Sequence, residues 1–162
     1  MNDSGAWRTI REAPAEANRR IHPESGHHPD AGGREDQPLQ VLIVEDDQLM
    51  RDGLLSFIRR EGLRAEAVPD GAAGLAVVVV KRPEVVVLDL AMPIMDGYQF
   101  MEQLAREMGR GRPKVLVLSG SDRLHLAEAR LGADAYIQKP FDPERLRAAL
   151  RRLVRPVRRA TP

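Results

Sequence analysis

Acidic, hydroxyl and basic side chains follow four separate apolar stretches of this chain, and these residue types together could handle a phosphoryl group. The side chains concerned are Glu45, Asp46, Asp89, Ser119 and Lys139. Several carboxylates cannot all stay ionised at one place unless a cation joins them. Lys139 would supply one positive charge, and Mg²⁺, which takes oxygen ligands and keeps several waters, would supply more. An Asp beside such an ion can attack a phosphoryl group as a nucleophile.

Each of these residues taken alone has an ordinary structural explanation. A single Asp after a strand is usually a helix cap or a turn residue, and we keep that interpretation for Asp47 and Asp96. Asp89 differs because Val-Val-Val-Leu precedes it and Ala-Met-Pro follows it, with no obvious helix start nearby. The occurrence of all these side chains at four different strand ends is what favours a functional site.

Apolar stretches alternate with amphipathic segments from Leu39 onward, and these elements would position the site. We predict strands over residues 41–44, 63–68, 85–88, 114–118 and 134–138, and helices over 48–60, 71–81, 98–108, 122–131 and 143–154. Such alternation implies a parallel sheet covered by helices on both faces. Open sheets of this α/β kind bind ligands beyond the carboxyl ends of their strands, so the polar residues are expected to meet there.

Length and composition limit the remaining choices. The 162 residues suit one domain, and the formal net charge of +1 argues against a wholly basic nucleic-acid binder. The absence of Cys excludes disulfides, thiol catalysis and Cys-ligated metals. No apolar run approaches the roughly 20 residues that cross a bilayer, and no signal peptide is visible. The expected location is therefore the cytoplasm.

The sequence predicts three parts: a disordered leader over residues 1–38, a folded domain over 39–155, and a short basic tail over 156–162. The leader holds four prolines and scattered apolar residues, too few to offset the entropy of ordering. Its three histidines could bind a metal ion, but a solvated tail is the favoured interpretation. They are His22, His27 and His28.

Four motifs together resemble the receiver domain of two-component response regulators. They are VLIVEDD (41–47), VVVLDLAMPIMDG (85–97), VLVLSG (115–120) and GADAYIQKPF (132–141), in the order that the family shows. The resemblance covers about residues 39–155. It implies a flavodoxin-like, doubly wound (βα)5 fold with strand order 2-1-3-4-5.

The resemblance also implies a role for each site residue. Asp89 matches the phosphoacceptor, and Glu45, Asp46, Asp89 and the backbone carbonyl of Ala91 match the ligands of Mg²⁺ or Mn²⁺. Ser119 matches the switch hydroxyl, Lys139 the lysine that pairs with the phosphoryl oxygens, and Tyr136 the switch aromatic. Pro140 matches a proline that follows a cis peptide bond.

The function implied is that of a stand-alone receiver. A sensor histidine kinase or a histidine phosphotransfer protein would donate a phosphoryl group to Asp89. A switch through Ser119 and Tyr136 would then signal to a downstream protein or a phosphorelay. Such a domain is not an enzyme acting on an external substrate, although it catalyses its own phosphotransfer and autodephosphorylation. A receiver-like adaptor that binds without phosphorylation is the alternative. A phosphohydrolase would want an acid/base Asp where Ala91 stands.

Departures from the family pattern lie around Asp89 and toward the C-terminus. Ala91 and Ser121, which flank the water path to an acyl phosphate, are expected to influence the lifetime of phospho-Asp89. The segment from Ser119 to Lys139 is shorter than is common, which alters the face formed by the fourth helix, fifth strand and fifth helix, through which receivers often form homodimers. The C-terminal residues 156–162 leave no room for a DNA-binding module, so direct DNA binding is not expected.

The last predicted helix and the tail carry seven Arg and no acid over residues 145–162. Three interpretations stay open, in decreasing order of preference. The cations could favour the helix dipole, form a solvated surface that faces a partner, or bind phosphate or a membrane.

Overall fold

A computed structural model of the protein describes residues 38–120 and 132–154. Five strands are present in these ranges: β1 (Val41–Val44), β2 (Ala65–Val68), β3 (Val85–Asp89), β4 (Lys114–Ser119) and β5 (Ala135–Gln138). The described α-helices are α1 (Gln48–Arg60), α2 (Gly71–Lys81), α3 (Gly97–Met108) and α4 (Pro143–Leu153). A 3-10 turn at Gly109–Gly111 follows α3. The helix predicted over 122–131, residues 1–37 of the leader and the tail lie outside the described residues.

The five strands form one parallel sheet in the order β2-β1-β3-β4-β5. This confirms the predicted α/β fold and strand order. β3 lies at the centre and is buried along its whole length, as expected for a strand covered on both faces. In the register, Val44 pairs with Leu88 and Asp89 pairs with Leu118. The carboxyl ends of β1, β3 and β4 therefore lie side by side at one edge of the sheet.

Alternate residues along each strand contribute to two apolar layers, one on each face of the sheet. On one face, residues such as Val86 and Val117 pack against Phe100 and Leu104 of α3 and against Leu75 of α2. On the other face, strand residues pack against the apolar sides of α1 and α4, namely Leu54, Ile58, Leu146 and Leu150. The sheet is thus packed between α2 and α3 on one face and α1 and α4 on the other.

Each described α-helix begins at an aspartate that caps it. The carboxylates of Asp47, Asp70, Asp96 and Asp142 each accept a hydrogen bond from a backbone N–H in the first turn of the following helix. Such side chains satisfy amide groups that the helix itself leaves unpaired. The caps at Asp70 and Asp142 were predicted, and the interpretation of Asp47 and Asp96 as caps is confirmed. Asp96 also forms a capping box with Gln99.

The second strand begins two residues later than predicted. Gly62 takes a positive φ of 81°, and the Leu63 N–H bonds back to the Ile58 carbonyl 3.4 Å away. This is the way many helices end when a glycine follows. Leu63 and Arg64 therefore belong to the end of α1 and the following turn, and β2 begins at Ala65.

Arg147 of α4 is used inside the domain. Its guanidinium lies 2.8 Å from a carboxylate oxygen of Glu61, next to the end of α1, and 5.5 Å from the centroid of the Phe57 ring. It also pairs with Glu144. None of the three interpretations of the C-terminal arginines included this contact between the two helices. Within the described ranges, every helix is too short or too polar to cross a bilayer.

Candidate functional site

Two carboxylates are buried side by side at the carboxyl edge of the sheet. Glu45 directly follows β1 and is 2% exposed, while Asp89 ends β3 and is 5% exposed. The pairing of Val44 with Leu88 makes the two acidic residues neighbours in adjacent strands. Burying two carboxylates together is costly unless cations or hydrogen bonds compensate for them.

Asp46 adds a third carboxylate, and this one is exposed. One oxygen from each of Glu45, Asp46 and Asp89 lies within 4.8 Å of the others. The set contains oxygen donors alone, partly buried and partly open to solvent, which is the donor chemistry that Mg²⁺ and Mn²⁺ prefer. The residues present therefore fit the divalent ion that the sequence predicts.

Lys139 brings one positive charge to this cluster. Its Nζ lies 2.8 Å from Glu45 Oε2 and 3.2 Å from Asp89 Oδ2. The backbone N–H of Lys139 donates to the Ser119 carbonyl at 2.7 Å, which continues the pairing of β5 with β4. The peptide bond between Lys139 and Pro140 is cis. The sheet thus places Lys139, which follows β5, beside Asp89 of β3, although β4 lies between these two strands.

The charges at the site shift its pKa values. Burial raises the pKa of Glu45, the neighbouring Asp89 charge adds to this, and the hydrogen bond from Lys139 partly opposes it. For Lys139, burial alone would lower the pKa, but the hydrogen bond to Glu45 and the charge of Asp89 outweigh it and raise the pKa. One ammonium does not fully compensate the acidic cluster, which leaves it with a net attraction for a further cation.

The loop after β3 closes tightly around the base of Asp89. The Ala91 N–H donates to Asp89 Oδ1 at 3.3 Å, and the Gly97 N–H donates to the Leu90 carbonyl at 3.1 Å. A Cβ atom on Gly97 would lie 2.7 Å from the Asp89 carbonyl oxygen, closer than real Cβ atoms come to other atoms. Only glycine fits there without displacing the backbone of Asp89, so Gly97 is a site residue that sequence reasoning did not single out.

Ser119 and Tyr136 lie on the same face of the sheet. Ser119 ends β4 and is 4% exposed, and Tyr136 pairs with Val117, two residues before Ser119 in that strand. The Tyr136 ring packs against the apolar layer of α2 and α3, and its Oη accepts a hydrogen bond from the Ala133 N–H at 3.3 Å. The aromatic ring therefore leans toward the start of β5, whereas Ser119 stands at the opposite end of the strands. Ser121 lies outside the described residues.

Arg51 is a residue that sequence reasoning missed. It lies in the first turn of α1, and one of its guanidinium nitrogens donates to the Glu45 carbonyl at 2.9 Å and to the Asp46 carbonyl at 3.0 Å. A signal was present, because a cation in the first turn of a helix opposes the helix dipole. Asp47 takes no part in the acidic cluster; its Oδ1 accepts from the Met50 N–H at 2.7 Å.

Comparison with known proteins agrees with this geometry. The family model of the response regulator receiver domain matches residues 41–151. The chain therefore belongs to the response regulator receiver domain family. The match contains every site residue described above, from Glu45 to Lys139.

Curated relatives include Response regulator MprA of Mycobacterium sp. (strain KMS), which is 38% identical over 120 residues. Response regulator MprA of Mycolicibacterium vanbaalenii is 39% identical over 127 residues. These alignments cover 73% and 77% of this chain and 51% and 53% of the relatives. The chain thus spans about half the length of the curated relatives it matches.

Solved structures show the same fold. The chemotaxis protein CheY4 of Vibrio cholerae superposes with a TM-score of 0.66 at 27% identity, covering 73% of this chain and 100% of CheY4. The receiver domain of a response regulator from Bermanella marisrubri superposes with a TM-score of 0.65 at 31% identity, covering 72% and 98% of the two chains.

Proposed function

We propose that this domain accepts a phosphoryl group on Asp89 from a histidine kinase or a histidine phosphotransfer protein. The observation that carries the proposal is the position of the Asp89 carboxylate, which is buried at the centre of the sheet edge beside Glu45, Asp46 and Lys139. Membership of the receiver family supports it.

The residues present suit each part of this transfer. An Asp89 carboxylate oxygen attacks the phosphorus atom, and the bond from phosphorus to the donor breaks, leaving an acyl phosphate on Asp89 and the released donor group. Lys139 Nζ, already within 3.2 Å of Asp89, can pair with the phosphoryl oxygens. The Ala91 N–H and the Ser119 hydroxyl lie on elements that reach the same edge and can donate to those oxygens.

A divalent ion, Mg²⁺ or Mn²⁺, is part of the proposal. Glu45, Asp46, Asp89 and the backbone carbonyl of Ala91 would hold it. When bound, it would neutralise charge on the transferring group. The two buried carboxylates would then hold the ion on its protein side. Its other side, near the exposed Asp46, would be open to water and to the phosphodonor.

Ser119 and Tyr136 would transmit the phosphorylation state of Asp89 to the surface of the domain. A phosphoryl group on Asp89 adds acceptor oxygens that favour an inward Ser119 hydroxyl, and Tyr136 would fill the space that is vacated. This shift between two states would alter the surface near β5 and α4 and be read by a partner protein or a phosphorelay. We propose that the domain acts as a phosphoacceptor in the cytoplasm, with no turnover of an external substrate.

Labelling with acetyl phosphate tests the proposal. The wild type should take up one phosphoryl group when Mg²⁺ is present and lose most of the signal when the metal is chelated. Asp89→Asn should take up none. Asp47→Asn is the matched control, because Asp47 lies in the same acidic run but caps α1, and it should label like the wild type. A wild-type protein that stays unlabelled would favour the phosphorylation-independent adaptor.

A further inference from the structure

We propose that Arg51 is the positioning residue of the acidic loop, residues 45–47 between β1 and α1, and holds Glu45 and Asp46 in the arrangement that binds the divalent ion. The inference concerns the metal site and rests on the proposed function for the identity of the ligand. Arg51 contacts the backbone that carries these carboxylates and not the carboxylates themselves.

The geometry is specific. A single guanidinium nitrogen of Arg51 reaches the carbonyl oxygens of two consecutive residues, Glu45 at 2.9 Å and Asp46 at 3.0 Å. These residues lie between the end of β1 and the start of α1. The Glu45 N–H still donates to the Val68 carbonyl of β2 at 3.2 Å, but both carbonyls that Arg51 contacts lie beyond Val44, the last residue of β1. The two bonds thus fix the orientation of both peptide planes, and with them the direction in which the Glu45 and Asp46 side chains leave the backbone.

The position of Arg51 on the helix argues against a purely local role. A positive charge in the first turn opposes the helix dipole, and Asp47 already caps α1. The helix therefore gains little from an arginine here, whereas the preceding loop gains two charge-assisted hydrogen bonds.

The donors of Arg51 also leave the carboxylates available. The bonds go to main-chain carbonyls, and the hydrogen bonds to the Glu45 carboxylate come from Lys139 and from the Asp47 N–H. An arginine paired directly with the carboxylates would compete with a metal ion, but one that holds the backbone organises the loop without itself occupying a carboxylate oxygen. Groups that orient metal ligands in this way commonly change affinity when they are removed.

The same helix offers a matched control. Arg59, in the last turn of α1, donates through two guanidinium nitrogens to the Ala65 carbonyl at 3.1 and 3.3 Å. Arg59 and Arg51 thus make the same kind of bond from the same helix, one to each neighbouring strand segment. Only the Arg51 bonds reach the acidic loop.

Calorimetric titration with Mg²⁺ and with Mn²⁺, without phosphodonor, tests the inference on the full chain. Arg51→Ala should weaken metal binding by roughly 10-fold, the lower end of the effect of losing an orienting partner. Arg51→Lys, which keeps one charged donor, should recover part of the loss, and Arg59→Ala should bind like the wild type. Acetyl phosphate labelling of Arg51→Ala should return toward the wild-type rate at saturating Mg²⁺, because only the affinity is impaired.

The outcomes separate this inference from the proposed function. Wild-type protein that binds no divalent ion would count against the proposed function itself. Wild-type binding with an equal affinity in Arg51→Ala would overturn the role of Arg51 alone, and so would an equal loss in Arg59→Ala. If Arg51→Ala does not fold, Arg51→Lys is compared with wild type instead. An unchanged metal affinity of Arg51→Lys, together with unchanged NMR shifts of the loop amides, would also overturn the role of Arg51.

Discussion

Lys139 Nζ lies 2.8 Å from Glu45 Oε2, although 94 residues separate the two in the chain. The pair exists because β5 and β1 end at the same edge of one parallel sheet, with β3 and β4 between them. Glu45 is almost fully buried, and the side chain of Lys139 is 20% exposed. The ion pair is therefore strong, because Glu45 is buried. The partly exposed Lys139 also remains accessible to a phosphoryl group.

Replacing Lys139 with Met should destabilise the metal-free domain at neutral pH. Two buried carboxylates would lose their shared cation, and the loss should be roughly 2–3 kcal/mol, below the value for a fully buried pair because the lysine is partly exposed. Asp89→Asn should leave the stability of the metal-free domain unchanged or increase it, since it removes one negative charge from the acidic cluster. Urea unfolding of the three proteins in chelator measures both changes, and a Lys139→Met protein as stable as wild type would contradict the expectation.

Mg²⁺ should stabilise the folded domain. At a concentration about ten times its dissociation constant, a ligand that binds only the folded state adds roughly 1.4 kcal/mol. Asp46→Asn should lose most of this gain, and because Asp46 is exposed its metal-free stability should stay close to that of wild type. Thermal unfolding with and without the metal checks the prediction, which fails if both proteins respond equally.

Gly97→Ala should lower the free energy of unfolding by about 2–3 kcal/mol, because the added methyl group would meet the Asp89 carbonyl and the Leu90 side chain. It should also reduce phosphorylation by moving the backbone of Asp89. Gly53→Ala serves as the comparison, since a Cβ at Gly53 in α1 meets nothing within 4 Å. That variant should gain about 0.5–1 kcal/mol from reduced chain entropy, and similar behaviour of the two alanines would refute the packing argument.

Asp134 should make stability depend on acid pH. Burial alone would raise its pKa, but hydrogen bonds from Lys114, the Val115 N–H and Arg112 outweigh it and hold the pKa below the ordinary 3.8. A lowered carboxyl pKa stabilises the fold above 3.8, and this contribution disappears as pH falls through the lower, folded-state value.

The stability difference between wild type and Asp134→Asn measures this contribution. It should be about 1.5–3 kcal/mol at neutral pH, the usual size for hydrogen bonds to a charged group, and it should shrink below pH 3.8. A difference that stays constant from neutral to strongly acidic pH would show that charge is not its source.

Ala91→Asn should shorten the lifetime of phospho-Asp89 several-fold. Ala91 is exposed, and its N–H bonds to Asp89 Oδ1, so an amide side chain there could orient the water that hydrolyses the acyl phosphate. Ser121→Glu is the second variant of this hypothesis. Dephosphorylation after removal of the phosphodonor gives the rates, and unchanged rates in both variants would refute the idea.

The fold was largely predictable because β1, β3 and β4 are mainly apolar runs and each described α-helix begins at an aspartate. The convergence of Glu45, Asp89 and Lys139 followed from the rule that parallel strands end at one edge. The contacts of Arg51 and Gly97 were not predictable in the same way, because they depend on where a guanidinium and a missing Cβ lie in three dimensions. The partnership of Arg147 with Glu61 was missed for the same reason, since charge counts do not show which acid a distant arginine meets.

The run Glu45-Asp46-Asp47 assigns a different task to each of three consecutive carboxylates. The first is buried against Lys139, the second faces solvent within the acidic cluster, and the third caps α1. Inserting or deleting one residue in this run would shift all three tasks together, and it would also move the carbonyls that Arg51 holds. A change of length in the connection between β1 and α1 is therefore expected to disrupt more than any single substitution within it.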